Sequence, residues 1–252
     1  MHPLPGWPDG VGRVVLDSID STNAEALRRA PALSRPEWIL AHRQMQGRGR
    51  RGRGWESAAG NFSASLALPH AGTPADAARL SFVAALALHE VLVGLVGPLA
   101  DVAIKWPNDV LLNGGKVSGI LLESTSGGGR ITALAVGMGV NLTAAPPRSA
   151  VEPWAVPPVA LGDVLGDVPT PEGFLDRLAP AFAHWQARLG TEGFAPLRAA
   201  WLARAARLGQ VITARTPRLT IEGRFDSIDA EGALILTTAT GREVIPAADI
   251  HF

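Results

Sequence analysis

Between Gly47 and Trp55 the chain reads GRGRRGRGW, four arginines interspersed with four glycines and closed by a tryptophan. Like charges packed so densely repel one another unless an anion lies among them. Glycine lets backbone approach a ligand closely and offers amide donors, arginine forks onto phosphate or carboxylate, and an indole stacks on a base. That combination suits a nucleotide. It equally suits an arginine-glycine loop on RNA, and the motif alone leaves both readings open. Gly47, Gly49 and Gly52 also match the spacing of the dinucleotide fingerprint, but the following RGWESAAGN makes a poor amphipathic helix and no strand–helix–strand unit frames it. So charged a loop is expected to be mobile when empty and to order over its ligand as a water-excluding lid.

A second group is KWPNDV, Lys105 to Val110. The strand-like DVAI before it and the ladder-breaking Pro107 place Lys105 at or near a strand end. A compact, rotatable ammonium beside a nucleotide neutralises charge building at phosphorus and holds an attacking carboxylate nearby. An ordinary surface turn capped by Asn108 and Asp109 is the competing reading. Lys116 opens NGGKVSGILLES, where Gly119 interrupts an apolar strand; a flat ligand lying on Gly119, Ile120 and Leu121 accounts for it, and so does a β-bulge. In GMGVNL, Gly137 and Gly139 open one strand face and Asn141 is available to the edge of a base, although backbone packing explains the glycines equally well. Of 23 basic residues 21 are arginine and two are lysine, so Lys105 and Lys116 read as places where a planar guanidinium will not serve.

The surrounding pattern must position these groups. Val11 to Leu16 reads as a strand, and DSIDSTNAEALRRA as a Ser/Thr-capped helix with Ala24, Leu27 and Ala30 on one side and Glu25 about where a capping box wants an acid. Trp38 to His42 and Phe62 to Leu68 are strands bridged by the arginine loop, and Pro74 to Leu95 is a long buried helix. Three more strands are expected over Val102 to Trp106, Val117 to Glu123 and Ile131 to Val140. Pro146 to Pro171 reads as an irregular connection with a short helix around Val159 to Leu165, ahead of helices over Phe174 to Leu189 and Phe194 to Arg207. After Leu208 only short strands remain, as in a small β-barrel. The alternation is that of an α/β or α+β fold.

Composition narrows the field. A chain of 252 residues with 47% hydrophobic content holds one sizeable core and a small second module. Zero net charge argues against a general polyanion binder, and the absence of cysteine excludes disulfides, thiolate nucleophiles and cysteine-ligated metals. The N-terminus lacks the pattern of a signal peptide, and His89 and Glu90 interrupt the most apolar stretch, so a cytoplasmic chain without a membrane span is expected. No GxxxxGK[ST] loop or GxSxG elbow occurs, and six scattered histidines give no zinc spacing, so metal ligands stay unassigned. Trp154, Trp185 and Trp201 read as core or interface residues.

Four motifs therefore stand in order: STN (Ser21 to Asn23), GRGRRGRGW, KWPNDV with KVSGIL, and GMGVN, ahead of a small β module. Over nearly the whole chain this order resembles that of biotin–protein ligases, in the form without an N-terminal DNA-binding winged helix. The resemblance implies an α+β fold, a mixed sheet with flanking helices related to class II aminoacyl-tRNA synthetases, over residues 1–206, followed by an SH3-like barrel over 207–252. It implies that Ser21, Thr22, Asn23, Gln44, Arg48, Gly49, Lys116 and Gly119 bind biotin. Arg48, Gly49, Arg50, Trp55, Lys105, Asn108 and Asn141 would bind ATP and the adenylate, with Lys105 and Arg50 catalytic, Trp55 packing near adenine and Asn141 reading its edge. The implied substrates are biotin and magnesium ATP; the implied partner is a biotin carboxyl carrier protein or domain, with no DNA and no membrane, and the enzyme a monomer or homodimer. Arg51 and Arg53 are left as solvated. AADI near the C-terminus replaces a commoner Ala-Gly-Asp pattern, a change expected to touch the last turn of the barrel and not the active site. A lipoate or octanoate transferase of the same superfamily and an RNA-binding module are the alternatives.

Overall fold

The structure, a computed structural model, describes residues 6–56, 58–69, 72–128, 130–216, 219–246 and 248–251. Its larger sheet has seven strands: β1 (Gly12–Leu16), β2 (Glu37–Ala41), β3 (Phe62–Pro69), β4 (Val102–Lys105), β5 (Asp109–Leu112), β6 (Gly115–Gly127) and β7 (Arg130–Val140). They lie in the order β1-β2-β3-β7-β6-β5-β4, with β1 and β2 parallel and the other neighbours antiparallel. β5 is the strand the sequence pattern does not reveal, because its apolar run is only Val110, Leu111 and Leu112 and follows the turn at Trp106, Pro107 and Asn108 directly.

Side chains alternate across a strand, and that alternation divides the molecule. On β3, Phe62, Ala64, Leu66 and Leu68 enter the main core with β7 residues Leu134, Val136, Met138 and Val140. Two long helices cover this face, α2 (Pro74–Val96) and α3 (Pro171–Glu192), with α4 (Phe194–Leu202) against them. The opposite row is small: Ser63, Ser65 and Ala67 on β3 stand beside Gly139, Gly137 and Ala135 on β7. A short helix, α1 (Thr22–Arg29), packs there with Ala26 and Ala30 against Ala67, Ala133 and Ala135. One face thus carries the bulk of apolar burial, and the other keeps room for a ligand.

α2 with its following turn, Pro74–Leu99, is long and apolar enough to span a membrane by composition, but 61% of its most apolar window is buried within the fold. Its polar residues are spoken for: the His89 ring lies 3.1 Å from the Val102 carbonyl, and Glu90 accepts from Trp185 at 2.9 Å.

Helix α1 departs from the expected pattern. Thr22, Asn23, Ala26 and Ala30 are buried, while Ala24 and Leu27 are only half-buried. Ser21 is the N-cap, so Glu25 stands one residue too late for a capping box and pairs instead with Arg28 at 2.8 Å and Arg29 at 3.6 Å. The polar side chains of Thr22 and Asn23 turn inward because they have partners there, described below.

The C-terminal residues form a second sheet of five antiparallel strands, β8 (Val211–Arg215), β9 (Thr220–Ile228), β10 (Leu234–Thr238), β11 (Gly241–Ile245) and β12 (Asp249–His251). Their order is β11-β10-β9-β8-β12, and no closed barrel forms among the described residues, since β11 and the three-residue β12 are opposite edges. Phe225, Ile228, Leu234 and Leu236 of this sheet join the same core as α2, and Trp106 donates from its indole to the Gly232 carbonyl at 2.9 Å. The KWPND turn is thereby tied to the second sheet.

The start of α1 rests on Asp20, which accepts from the Ser21 amide at 2.7 Å and pairs with Arg28. Its hydrogen bond with Arg28 holds the Asp20 carboxyl down from 3.8 to about 2. A depressed carboxylate pKa gives stability that is complete above the unfolded value and is lost as pH falls through the folded one. Asp20→Asn should therefore cost less than about 1 kcal/mol near neutrality, as expected of an exposed pair. In thermal melts the gap between parent and variant should close as pH falls from 4 towards about 2; a gap independent of pH would contradict this.

Candidate active site

The row of small residues floors a cavity of about 330 Å³. Gly119 pairs with Gly139 and Leu121 with Gly137, so two strands present backbone where side chains would block entry. A methyl group at Gly137 would overlap the Asn23 carboxamide, and one at Gly139 would overlap the Trp55 indole. At Gly119 it would stand 3.0 Å from the same indole. The glycines therefore serve close approach, and the Trp55 indole fills the space they leave.

At one end the cavity is lined by the uncharged polar side chains of Ser21, Thr22, Asn23 and Gln44, with Glu123 bonded to Asn23. Gln44 Oε1 accepts from the Thr22 amide at 2.8 Å and from the Thr22 hydroxyl at 3.0 Å. Ser65 Oγ lies 2.8 Å from Thr22 Oγ1 and 2.6 Å from Asn23 Oδ1, and Asn23 Nδ2 donates to the Leu121 carbonyl at 3.1 Å and to Glu123 at 2.8 Å. Ser21, Thr22, Asn23 and Ser65 are all buried. Buried hydroxyls and carboxamides so fixed can read a small neutral polar group by hydrogen bonds.

The other end is crowded with cations. Lys105, the last residue of β4, is 8% exposed and lies 3.6 Å from Asp109, whose other oxygen meets Lys116 at 2.7 Å. Burial pushes the Lys105 ammonium down from its ordinary pKa, against the pull of Asp109. Burial opposes ionisation of Asp109 too, yet Lys116, Lys105 and Arg50 together hold its carboxyl below the ordinary range. Lys116 sits 5.6 Å from the centre of a Trp55 ring, beside Gly119.

The arginine loop closes over this end as a hairpin, with Gly49 N donating to Arg53 O at 2.7 Å and Trp55 N to Gly47 O at 2.9 Å. Arg48 reaches Glu123 at 3.4 Å, and Arg53 reaches Glu152 at 2.8 Å and Asp249 at 3.1 Å. Arg51 also pairs with Asp249. Arg50 is different: it has no ion pair among the described residues and donates to Asn108 Oδ1 at 3.4 Å. Burial lowers its pKa, opposed by Asp249 and Asp109. Asn141 is 2% exposed and spends an amide proton on the Val159 carbonyl at 3.0 Å. A half-buried guanidinium beside two lysines, over a glycine floor, is a place for an anion.

Residues 15–141 match the biotin/lipoate A/B protein ligase family, and residues 208–252 match the biotin protein ligase C terminal domain. The chain belongs to the biotin/lipoate A/B protein ligase family. Among its relatives is a protein of Paracoccus denitrificans named biotin–[acetyl-CoA-carboxylase] ligase, 59% identical over 238 residues, which are 94% of this chain and 99% of that protein. The bifunctional ligase/repressor BirA of Bacillus subtilis is 33% identical over 218 residues, covering 84% of this chain and 65% of BirA. A biotin protein ligase from Aquifex aeolicus, solved in complex with biotin and ATP, shares the fold with a TM-score of 0.77 at 23% identity, over 95% of this chain and 97% of that one.

Within this family member the cavity brings together Ser21, Thr22, Asn23, Gln44, Arg48, Gly49, Arg50, Trp55, Lys105, Asn108, Lys116, Gly119 and Asn141, all thirteen residues singled out in the sequence. Several neighbours depart from the sequence expectation. Asp109 does more than shape a turn, since its one carboxylate pairs with both lysines. Arg51 and Arg53 are ion-paired and not merely solvated. In AADI, Ala247 lies outside the described residues, but Ala248, Asp249 and Ile250 line the cavity. Trp154 lines it as well, whereas Trp185 and Trp201 are buried in the core. Only Asp109 carried a signal, its position between the two lysines; nothing local marks Asp249, 198 residues from Arg51.

Removing the shared carboxylate takes away the ion pair that both lysines make with it, and one of them, Lys105, is almost fully buried. Asp109→Asn should destabilise the protein by about 3 kcal/mol, the usual scale for one partner lost from a buried pair. Urea unfolding measures this, and a midpoint equal to the parent's would contradict it.

Proposed function

We propose that this chain is an ATP-dependent biotin–protein ligase that forms biotinyl-5'-AMP and transfers the biotinyl group to a lysine of a biotin carboxyl carrier protein or domain. The observation that carries this reading is one continuous cavity with a neutral hydrogen-bonding end at Thr22, Asn23 and Gln44 and a cationic end at Arg50, Lys105 and Lys116. A ureido head and an adenylate phosphate need those two environments, joined. The name of the 59%-identical relative supports it. Paired arginines lining a cavity fit this role better than an RNA surface.

Binding places two anions, the biotin carboxylate and the α-phosphate, side by side. Lys105, Lys116 and Arg50 offset their repulsion and stabilise the charge that builds on phosphorus as the carboxylate attacks and pyrophosphate leaves. Magnesium enters as the complex with ATP; no cluster of three or more candidate ligands occurs among the described residues. Trp55 and Asn141 take the adenine, with the Asn141 carboxamide oriented by the hydrogen bond its amide donates to Val159. The closed loop keeps water from the mixed anhydride until the acceptor amine attacks its carbonyl and AMP departs. In this reading residues 1–206 are the catalytic domain and 207–252 an SH3-like domain.

Pyrophosphate exchange with biotin, lipoate and octanoate offered separately tests the assignment. Biotin alone should support exchange, and equal exchange with lipoate or octanoate would overturn it. Lys105→Ala should slow exchange by at least about 100-fold, the usual scale for losing one electrostatic stabiliser. Arg50→Ala should speed escape of the formed adenylate, and an unchanged escape rate would refute its clamping role.

A further inference from the structure

One wall of the cavity is the proline-rich segment 146–158, which contributes Pro146, Val151, Trp154 and Pro158. Its far end is fastened to β6, where Lys116 N donates to the Pro157 carbonyl at 2.8 Å and Val159 N to the Lys116 carbonyl at 3.0 Å. Its near end is fastened by Asn61, which donates to the Ala144 carbonyl at 2.7 Å. Between these anchors Arg148 grips the carbonyls of Glu152 and Pro153 from within the segment. In the middle of the wall, Glu152 and Trp154 reach the loop and the second sheet.

What it meets there is unusual. Arg53 of the loop lies over the Trp154 indole at 5.2 Å from the ring centre, and Arg215 of β8 lies over the same indole at 5.1 Å. Both groups are cationic, and like charges drawn to one ring repel one another. Carboxylates offset that repulsion: Glu152 and Asp249 bond Arg53, and Asp249 is the cross-strand partner of Arg215, so their side chains share one face of the sheet. Arg215 itself is exposed and makes no ion pair among the described residues. Its partner is the indole. Three separate parts of the chain, loop, wall and second sheet, therefore converge on one tryptophan.

We propose that Arg215 is a positioning residue for the adenylated intermediate: from the second sheet it holds Trp154 against Arg53, keeping the segment 146–158 and the arginine loop closed together over the cavity. Arg215 does not line the cavity and touches no reacting atom. It acts through Trp154. The proposal rests on the adenylating reading above and adds a residue to it that neither the motifs nor the cavity lining contain. Its energetic scale is that of an exposed cation–π contact, which corresponds to a roughly two- to fivefold change in a rate.

The test uses the full chain and three variants, Arg215→Gln, Arg215→Lys and Trp154→Ala, with the double variant of Arg215→Gln and Trp154→Ala. Labelled biotin and ATP are supplied without acceptor, and release of the adenylate into solution is timed; biotin-dependent pyrophosphate exchange is run alongside. Arg215→Gln should release the adenylate roughly two- to fivefold faster while retaining exchange and melting temperature, and Arg215→Lys, which keeps a cation on the ring, should be closer to the parent. In the Trp154→Ala background, Arg215→Gln should add nothing. An unchanged escape rate in Arg215→Gln, or an effect that persists in full without Trp154, would overturn the proposal. Absence of biotin-dependent exchange in the parent would instead overturn the adenylating reading, so the two failures are distinct.

Discussion

Five cations, Arg48, Arg50, Arg53, Lys105 and Lys116, line one cavity of about 330 Å³, and their mutual repulsion is the constraint that the rest of the structure answers. No single segment neutralises them. Glu123 on β6 takes Arg48, Asp109 on β5 takes the two lysines, and Glu152 with Asp249 takes Arg53. The carboxylates come from both sheets and from the connection between them. The second sheet is thus part of the electrostatic balance of the site. Arg50 makes no ion pair among the described residues and donates to Asn108, with Asp249 and Asp109 acting on it from further away.

The same site constrains the packing. Gly119, Gly137 and Gly139 lie inside strands, where each glycine costs about 0.5–1 kcal/mol relative to alanine. That cost is tolerable because the opposite face of the sheet is covered by α2 and α3 and packs its Trp38 and Phe62 against Phe182 and Phe174 of α3 in one core. Stability and function are thereby separated onto two faces of one sheet. Alternation along β3 and β7 makes this division possible, since every second residue can be chosen for packing and every other one for clearance.

How much of this is legible in the sequence depends on how local each interaction is. The glycine and arginine run, the two lysines and the paired glycines near Asn141 stand out in short stretches, and each of these stretches sends residues into the cavity. The long helices and most strands follow from apolar periodicity. Periodicity misleads at α1, whose buried face includes Thr22 and Asn23, because their hydrogen bonds to Gln44, Glu123 and the Leu121 carbonyl outweigh hydrophobicity. Three apolar residues are too few to reveal β5. The roles of Asp249 and Trp154 in the site do not show in the sequence for another reason: their partners are remote, Arg51 and Arg53 for the one and Arg53 and Arg215 for the other. Charge balance across a fold has no sequence period.

The central claim is that a neutral pocket and an anion pocket form one site for one ligand. Calorimetric titration with a non-hydrolysable biotinyl-adenylate analogue, compared with biotin alone and AMP alone, tests it most directly. If both halves belong to one cavity, the joined ligand binds far more tightly than either part, and prior saturation with biotin blocks it. An analogue that binds no more tightly than biotin, or that binds undiminished when biotin is saturating, would contradict the claim.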